Sequence, residues 1–159
     1  MAGKNSEKTN VMRILDGKKI PYQPHVYQPD AAMSGVQIAA LLGEETEKVF
    51  KTLVTVGKTG QHYVFVIPVA AELDLKKAAA VAGEKSVVMI KQKELLPLTG
   101  YIHGGCSPIG MKTPFPTWIH ETAQQQETVF VSAGKVGFQI ELTPADLVRA
   151  AGCRFGDLI

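Results

Sequence analysis

The sequence predicts an α+β fold: a mixed, mostly antiparallel sheet curled towards a barrel, with helices packed on its outside. Three observations carry that expectation. Apolar, β-branched runs over 49–56 and 62–69 flank Gly57-Lys58-Thr59-Gly60, a turn with two glycines, and together read as a hairpin. Further strands are expected over 117–120, 128–132 and 136–141, the last two joined by a turn at Gly134-Lys135. The helical stretches between strands are short and closed by glycine.

Residues 1–5 read as a loose tail and 6–159 as one domain, with no internal repeat or linker. Asn5 or Ser6 is expected to cap a first helix that runs to Gly17, with Val11, Met12, Ile14 and Leu15 as its apolar stripe. Ile20-Pro21-Tyr22 opens an extended segment through Tyr27, because proline resists helix continuation. Ser34 opens a second helix closed by Gly43, and 44–48 form a charged approach to the hairpin. Asp74 suits the start of an Ala/Lys-rich helix ending at Gly83. A strand over 86–90 and a helical turn over 91–96, closed by Pro97, follow. Residues 99–117 are loop-rich, with four glycines and a proline between Thr99 and Gly110. Thr143 and Pro144 form the cap and first turn of a final helix that stops at Gly152.

Composition narrows the function classes. The hydrophobic fraction of 45% and charged fraction of 20% are those of a globular protein rather than a disordered one. The net charge is +2, from 17 Lys+Arg against 15 Asp+Glu, and the basic residues are scattered. That balance permits an RNA partner without implying one. Two cysteines, Cys106 and Cys153, form no paired framework and no CxxC, which fits a reduced, cytoplasmic setting. The polar N-terminal stretch has no apolar signal core, and no apolar run reaches bilayer length.

Lys51 is the first residue with chemical interest. Strand alternation puts it on the face of Leu53, opposite Phe50 and Thr52. It reads either as a solvent-facing lysine with its stem over apolar surface, or as a cation inside a cleft that holds a phosphate or carbonyl oxygen. The second feature is Gly104-Gly105-Cys106-Ser107-Pro108. Glycines allow backbone N–H groups to approach an oxygen and stabilise a tetrahedral intermediate; an ordinary surface loop is the plainer alternative. His103 and Cys106 would make an acyl-transfer pair only if they met in space. His25, His62 and His120 show no metal spacing, and neither a P-loop nor a strand–GxGxxG–helix unit is present. Phe50, Phe65 and Phe130 read as core rather than base-stacking platforms.

These segments, taken in order, resemble one family. Ile20-Pro21-Tyr22 with His25 and Tyr27, Val49-Phe50-Lys51-Thr52-Leu53, Leu75-Lys76-Lys77-Ala78-Ala79, and Thr99-Gly100-Tyr101 followed by 104–110 are similar to YbaK proteins. So are 129–135 and Leu142-Thr143-Pro144-Ala145-Asp146-Leu147. YbaK proteins are related to the editing domain of some prolyl-tRNA synthetases. The resemblance implies the fold of that synthetase-associated domain. It also implies a cytoplasmic deacylase that releases amino acid from mischarged Cys-tRNA(Pro), and from Cys-tRNA(Cys), without a cofactor or metal.

By the same resemblance Lys51 is catalytic together with the backbone of Gly104, and Tyr27, Thr52, Gly105, Ser107, Pro108 and Ser132 hold the substrate. Cys106 is a departure, since the family often carries a small or aliphatic residue there. The implied partners are the acceptor end of an aminoacyl-tRNA and a prolyl-tRNA synthetase, with no membrane and no DNA. The resemblance also explains the lack of a protein nucleophile: the substrate's own thiol attacks its ester and leaves as a cyclic thiolactone. Two alternatives remain at this level: a deacylase for another cargo such as Ala-tRNA(Pro), and a non-catalytic module that binds tRNA or a synthetase.

Overall fold

The computed structural model describes residues 7–28 and 33–159. Five strands form one sheet and three form another. The larger sheet is built on the expected hairpin, β2 (Phe50–Gly57) with β3 (His62–Pro68), paired antiparallel from Phe50↔Pro68 to Val56↔His62. Gly57 and Gly60 make its turn as expected: the Gly57 N–H donates to the Gln61 carbonyl at 2.8 Å, and Gly60 has φ +93°. β4 (Val87–Met89) adds antiparallel to the far end of β2. On the other side β5 (Thr117–His120) runs parallel to β3, and β8 (Arg154–Gly156) runs parallel to β5. The smaller sheet is antiparallel, in the order β1 (Gln23–Val26), β7 (Phe138–Leu142), β6 (Val129–Ser132). A single parallel bridge, Val49↔Phe130, joins the two sheets.

The helices are held by short-range capping. Ser34 and Gln37 form a reciprocal capping box at the start of α2 (Gly35–Leu42), with bonds of 3.2 and 2.8 Å, and Gly43 ends it in the left-handed region. Asp74 accepts from the Lys76 and Lys77 N–H groups at 3.0 Å to start α3 (Leu75–Ala82). Thr143 accepts from Asp146 at 3.1 Å to start α5 (Pro144–Ala151), with Pro144 in the first turn. Each cap satisfies an N–H that the first helical turn leaves without a partner.

Three details depart from expectation. The first helix, α1 (Asn10–Gly17), is capped by Thr9, whose hydroxyl accepts from Met12 at 3.3 Å. It begins where apolar burial begins, at Val11 and Met12; the charged, exposed Glu7 and Lys8 before it have no apolar face to hold another turn. Residues 1–6, where the tail and the cap at Asn5 or Ser6 were expected, lie outside the described residues. Pro97 does not close the helical turn after β4: α4 (Gln92–Thr99) runs through it to Gly100. The carbonyl that Pro97 fails to bond belongs to Lys93, which is exposed to water, and proline's fixed φ suits a helix. Finally, β8 has no counterpart in the sequence reading, because three residues are too few to show alternation.

The central strand explains the layering. Tyr63-Val64-Phe65-Val66-Ile67 is buried on both sides, a continuous apolar run rather than an alternating one. Val64 and Val66 face the main core with α1, Ile119, Val131, Ile140 and Leu147. Tyr63, Phe65 and Ile67 face a second core with Trp118 and the alanines of α3; Phe65 stacks on Trp118 at 5.8 Å. His120 is buried as a structural group, its Nδ1 accepting the Leu158 N–H at 3.1 Å.

Gly134 stands where the β6–β7 turn meets α1. Its φ is +91°, and a Cβ there would lie 2.9 Å from Val11 Cγ2 and 3.0 Å from Tyr101 Cε1; Gly60 has a similar φ but open space around it. Gly60→Ala should therefore cost about 1–2 kcal/mol from backbone strain alone. Gly134→Ala should cost about 1–3 kcal/mol beyond that from overpacking. Urea unfolding of the two variants measures the difference, and equal losses would show that Val11 and Tyr101 yield freely.

Candidate functional site

β2 changes partner along its length. Its outer edge is paired with β4 only at Thr55–Gly57, and Val49 before it bridges to Phe130 of β6. Between those points no strand among the described residues pairs with that edge. A cavity of about 230 Å³ opens there, and Val49, Phe50, Lys51, Thr52 and Leu53 all line it. The register puts Lys51 and Leu53 on the face of Ile67 and Phe65, as alternation requires. Thr52, on the opposite face, reaches the same cavity because the opening follows the strand's edge. Lys51 is half-buried, and among the described residues no carboxylate lies within ion-pair distance of its ammonium.

The second wall is the glycine-rich loop between α4 and β5. Tyr101 is buried, and its hydroxyl donates to the Ile109 carbonyl, closing the loop on itself. Burial, reinforced by Cys106 nearby, pushes the Tyr101 phenol up to about 12, so it remains a donor. The Gly105 N–H returns to the Ile102 carbonyl at 2.9 Å, and Lys112 bonds Thr99 across the loop's base at 2.9 Å. Gly104, at φ +89°, lines the cavity, and its N–H has no acceptor among the described residues. Gly105 serves another purpose. A Cβ there would meet the Val136 nitrogen at 3.1 Å and Lys135 backbone at 3.4 Å, so its bare backbone lets the loop lie flush on the β6–β7 turn.

The third wall is one face of the small sheet. Register sets Ser132, Gln139 and His25 in a row on that face, while Val131 and Ile140 point into the main core. Ser132 and Gln139 line the cavity. The Ser132 hydroxyl accepts the Gly134 N–H at 3.1 Å and retains its own proton to donate. Tyr27 and Gly35 complete the rim; a Cβ on Gly35 would meet Val69 Cγ1 at 2.7 Å.

Residues 29–150 match the model of the aminoacyl-tRNA editing domain. That span is more than half the chain. The chain belongs to the aminoacyl-tRNA editing family. It is 46% identical over 156 residues, 98% of this chain and 95% of the other, to a protein of Enterococcus faecalis provisionally named Cys-tRNA(Pro)/Cys-tRNA(Cys) deacylase EbsC. Among solved structures it is similar to one provisionally titled a trans-editing enzyme for prolyl tRNA synthetase. The TM-score is 0.80 at 25% identity, with 96% of this chain and 98% of the other covered. The hypothetical protein APE2540 shares the fold with a TM-score of 0.86 at 24% identity, covering 94% and 99%.

In this editing domain the residues singled out in the sequence divide into two groups. Lys51, Thr52, Gly104, Ser132 and Tyr27 surround one cavity. Gly105, Ser107 and Pro108 are not among its lining residues: Ser107 is fully buried and its hydroxyl accepts the Ile109 N–H at 3.2 Å, and Pro108 borders a separate hollow beside α1 and α5. These three shape the loop from behind. Sequence reasoning passed over Gln139, Gly35 and Phe138, which also line the cavity. Gln139 carried a usable signal, a polar residue inside the alternating strand over 136–141.

The cavity also holds His103 and Cys106. Burial pushes the Cys106 thiol from 9.0 up to about 12, and that of Cys153 up to about 11. Among the described residues no three His, Cys, Asp or Glu side chains converge as metal ligands. At about pH 8 the Cys106 thiol then carries about a thousandfold less thiolate than an ordinary one, and Cys153 about a hundredfold less. Iodoacetamide should therefore leave both cysteines unmodified in the native protein while labelling the urea-unfolded chain fully, as read by intact mass. Rapid native labelling at Cys106 would reveal an activated thiol.

Proposed function

We propose that this editing domain releases cysteine from tRNA, from mischarged Cys-tRNA(Pro) foremost and from Cys-tRNA(Cys) as well, in the cytoplasm and in the service of translation fidelity. The observation that carries the reading is that Lys51 and Gly104 line one small cavity. Its volume of about 230 Å³ is below the roughly 300–1,000 Å³ of common ligand pockets, which suits a small aminoacyl group at the end of a tRNA. The 46% identical relative named for Cys-tRNA deacylation supports the cargo.

The chemistry follows from what the cavity offers. Its own thiol, Cys106, is held neutral and is a poor nucleophile. The substrate's thiol takes that part. Its sulfur bonds to the ester carbonyl carbon, the carbon–oxygen bond to the ribose breaks, and the thiol proton ends on the ribose oxygen. The products are a cyclic thiolactone and free tRNA. A thiol already on the same molecule has a high effective molarity, so the protein's task is positioning and charge stabilisation. The Gly104 N–H is a donor without an acceptor among the described residues, suited to the oxyanion. The Lys51 ammonium supplies positive charge for that oxygen or for a terminal phosphate. Thr52, Tyr27 and Ser132 orient the substrate around them. A net charge of +2 gives little general affinity for RNA, so the choice of tRNA falls to a synthetase partner, prolyl-tRNA synthetase.

Lys51→Ala should lower release of cysteine from Cys-tRNA(Pro) by about two orders of magnitude, the scale of one strong transition-state contact. Single-turnover deacylation measures it, and unchanged activity would remove Lys51 from the site. A panel of mischarged tRNAs tests the substrate and the mechanism together. Cys-tRNA should be released and Ser-tRNA should not, because a hydroxyl is a far weaker nucleophile than a thiol. Equal rates on the two would rule out attack by the substrate thiol.

A further inference from the structure

Gln139 lies in the middle strand of the small sheet, with Ser132 on one side and His25 on the other. It is 95% buried and lines the cavity, yet its Oε1 has no hydrogen-bond partner among the described residues. A buried acceptor left without a donor is destabilising, so one in a native structure calls for a reason. Its surroundings set which way the amide faces. Glu44, just past the end of α2, lies beside it in a neighbouring hollow with His25, Lys48 and Glu141. Burial holds the Glu44 carboxyl above its ordinary range, and the neighbouring Gln139 side chain offsets part of that rise, the sense expected of an amide NH₂ beside a carboxyl. With the NH₂ so used, Oε1 is the amide atom left to accept from whatever enters the cavity that Gln139 lines.

The cavity lining therefore carries both kinds of partner: the Lys51 ammonium and the Gly104 N–H as donors, and the Gln139 oxygen as an acceptor, with the Glu44 carboxyl in the neighbouring hollow. The donors suit the ester oxygen or a phosphate. The acceptor suits a donor, preferably a cation. An aminoacyl ester carries one such group, its α-ammonium. On the deacylase reading given above, we infer that Gln139 accepts a hydrogen bond from the α-amino group of the substrate, so that the site selects esters with a free amine over N-acylated ones. Glu44 is the positioning residue that holds the amide in that sense. Acylation removes the charge and two of the three N–H donors, and adds bulk against a buried side chain.

The test compares Cys-tRNA with N-acetyl-Cys-tRNA on the wild-type protein, Gln139→Met and Gln139→Glu. Methionine keeps the length and loses the acceptor; glutamate keeps the acceptor, and beside Glu44 the two carboxyls share one proton in place of the amide N–H. Wild type should prefer the free amine. Q139M should lose about tenfold or more in kcat/KM on Cys-tRNA, chiefly through KM, the scale of a hydrogen bond to a charged group. Its rate on N-acetyl-Cys-tRNA should stay within about twofold of wild type. Its preference should then collapse relative to wild type, a comparison that cancels the different intrinsic reactivity of the two esters. Q139E should keep the preference, and it carries the test if Q139M does not fold. Equal losses on both substrates in Q139M, an undiminished preference there, or a preference lost in Q139E would each overturn the inference. A wild-type protein that releases neither substrate would overturn the deacylase reading itself, and the role of Gln139 with it. Release of both by wild type with an unchanged preference in Q139M would sink Gln139 alone.

Discussion

The hydrogen bond from the Tyr101 hydroxyl to the Ile109 carbonyl holds together the part of the molecule that carries the site. It spans a loop with no regular ladder of its own, inside a core where an unmade bond would be expensive. Burial keeps the phenol protonated, so the bond does not depend on pH in any ordinary range. The ring does as much as the hydroxyl. It fills the space that Gly134 leaves bare, where a Cβ would lie 3.0 Å from the ring, while the hydroxyl lies 3.0 Å from where a Cβ on Gly110 would stand. One side chain thus ties the loop to α1 and to the β6–β7 turn, and Gly104 is presented to the cavity from a braced backbone rather than a loose one.

The cavity itself is a consequence of sheet topology. A strand edge left bare is ordinarily a liability. Here the edge of β2 between β4 and the Val49 bridge to β6 is bare among the described residues, and the glycine loop, α2 and the small sheet wall it in. Consecutive residues of one strand therefore reach a single cavity despite alternating faces. It is an economical way to set a cation and a hydroxyl side by side, as Lys51 and Thr52 are, on an element anchored by full pairing with β3. Sites built on strands hold geometry better than sites built on loops alone.

The electrostatics of the cavity favour positioning over protein-borne nucleophilic chemistry. Its cysteine is desolvated with nothing to offset the cost, so it stays neutral. Contrast Glu141 in the neighbouring hollow: burial raises its carboxyl, but hydrogen bonds from Thr128 and His25, with the His25 bond at 2.9 Å, bring it below its ordinary value. The fold can stabilise a charge when it supplies partners. At Cys106 it supplies none, which is consistent with a site whose reactive thiol arrives with the substrate.

Much of the architecture was legible in the sequence. The hairpin, the caps at Ser34, Asp74 and Thr143, the glycine stops and the core phenylalanines all appear where local chemistry put them. The family was legible too, through motifs that span most of the chain, and its Lys51 and Gly104 share one cavity. What escaped was whatever depends on distant partners: the start of α1, the parallel β3–β5–β8 pairing, and the division of 104–108 into Gly104 and Cys106, which face the cavity, and the residues that support the loop. Gln139 belongs with these, because its meaning lies in a missing partner. By itself the sequence determined the elements and the residues with chemical capacity, since caps, turns and alternation are settled within a few neighbours along the chain. Only the tertiary structure decided which of those residues face one another, because a parallel pairing, a bare strand edge and an unmet acceptor are relations between segments remote in sequence.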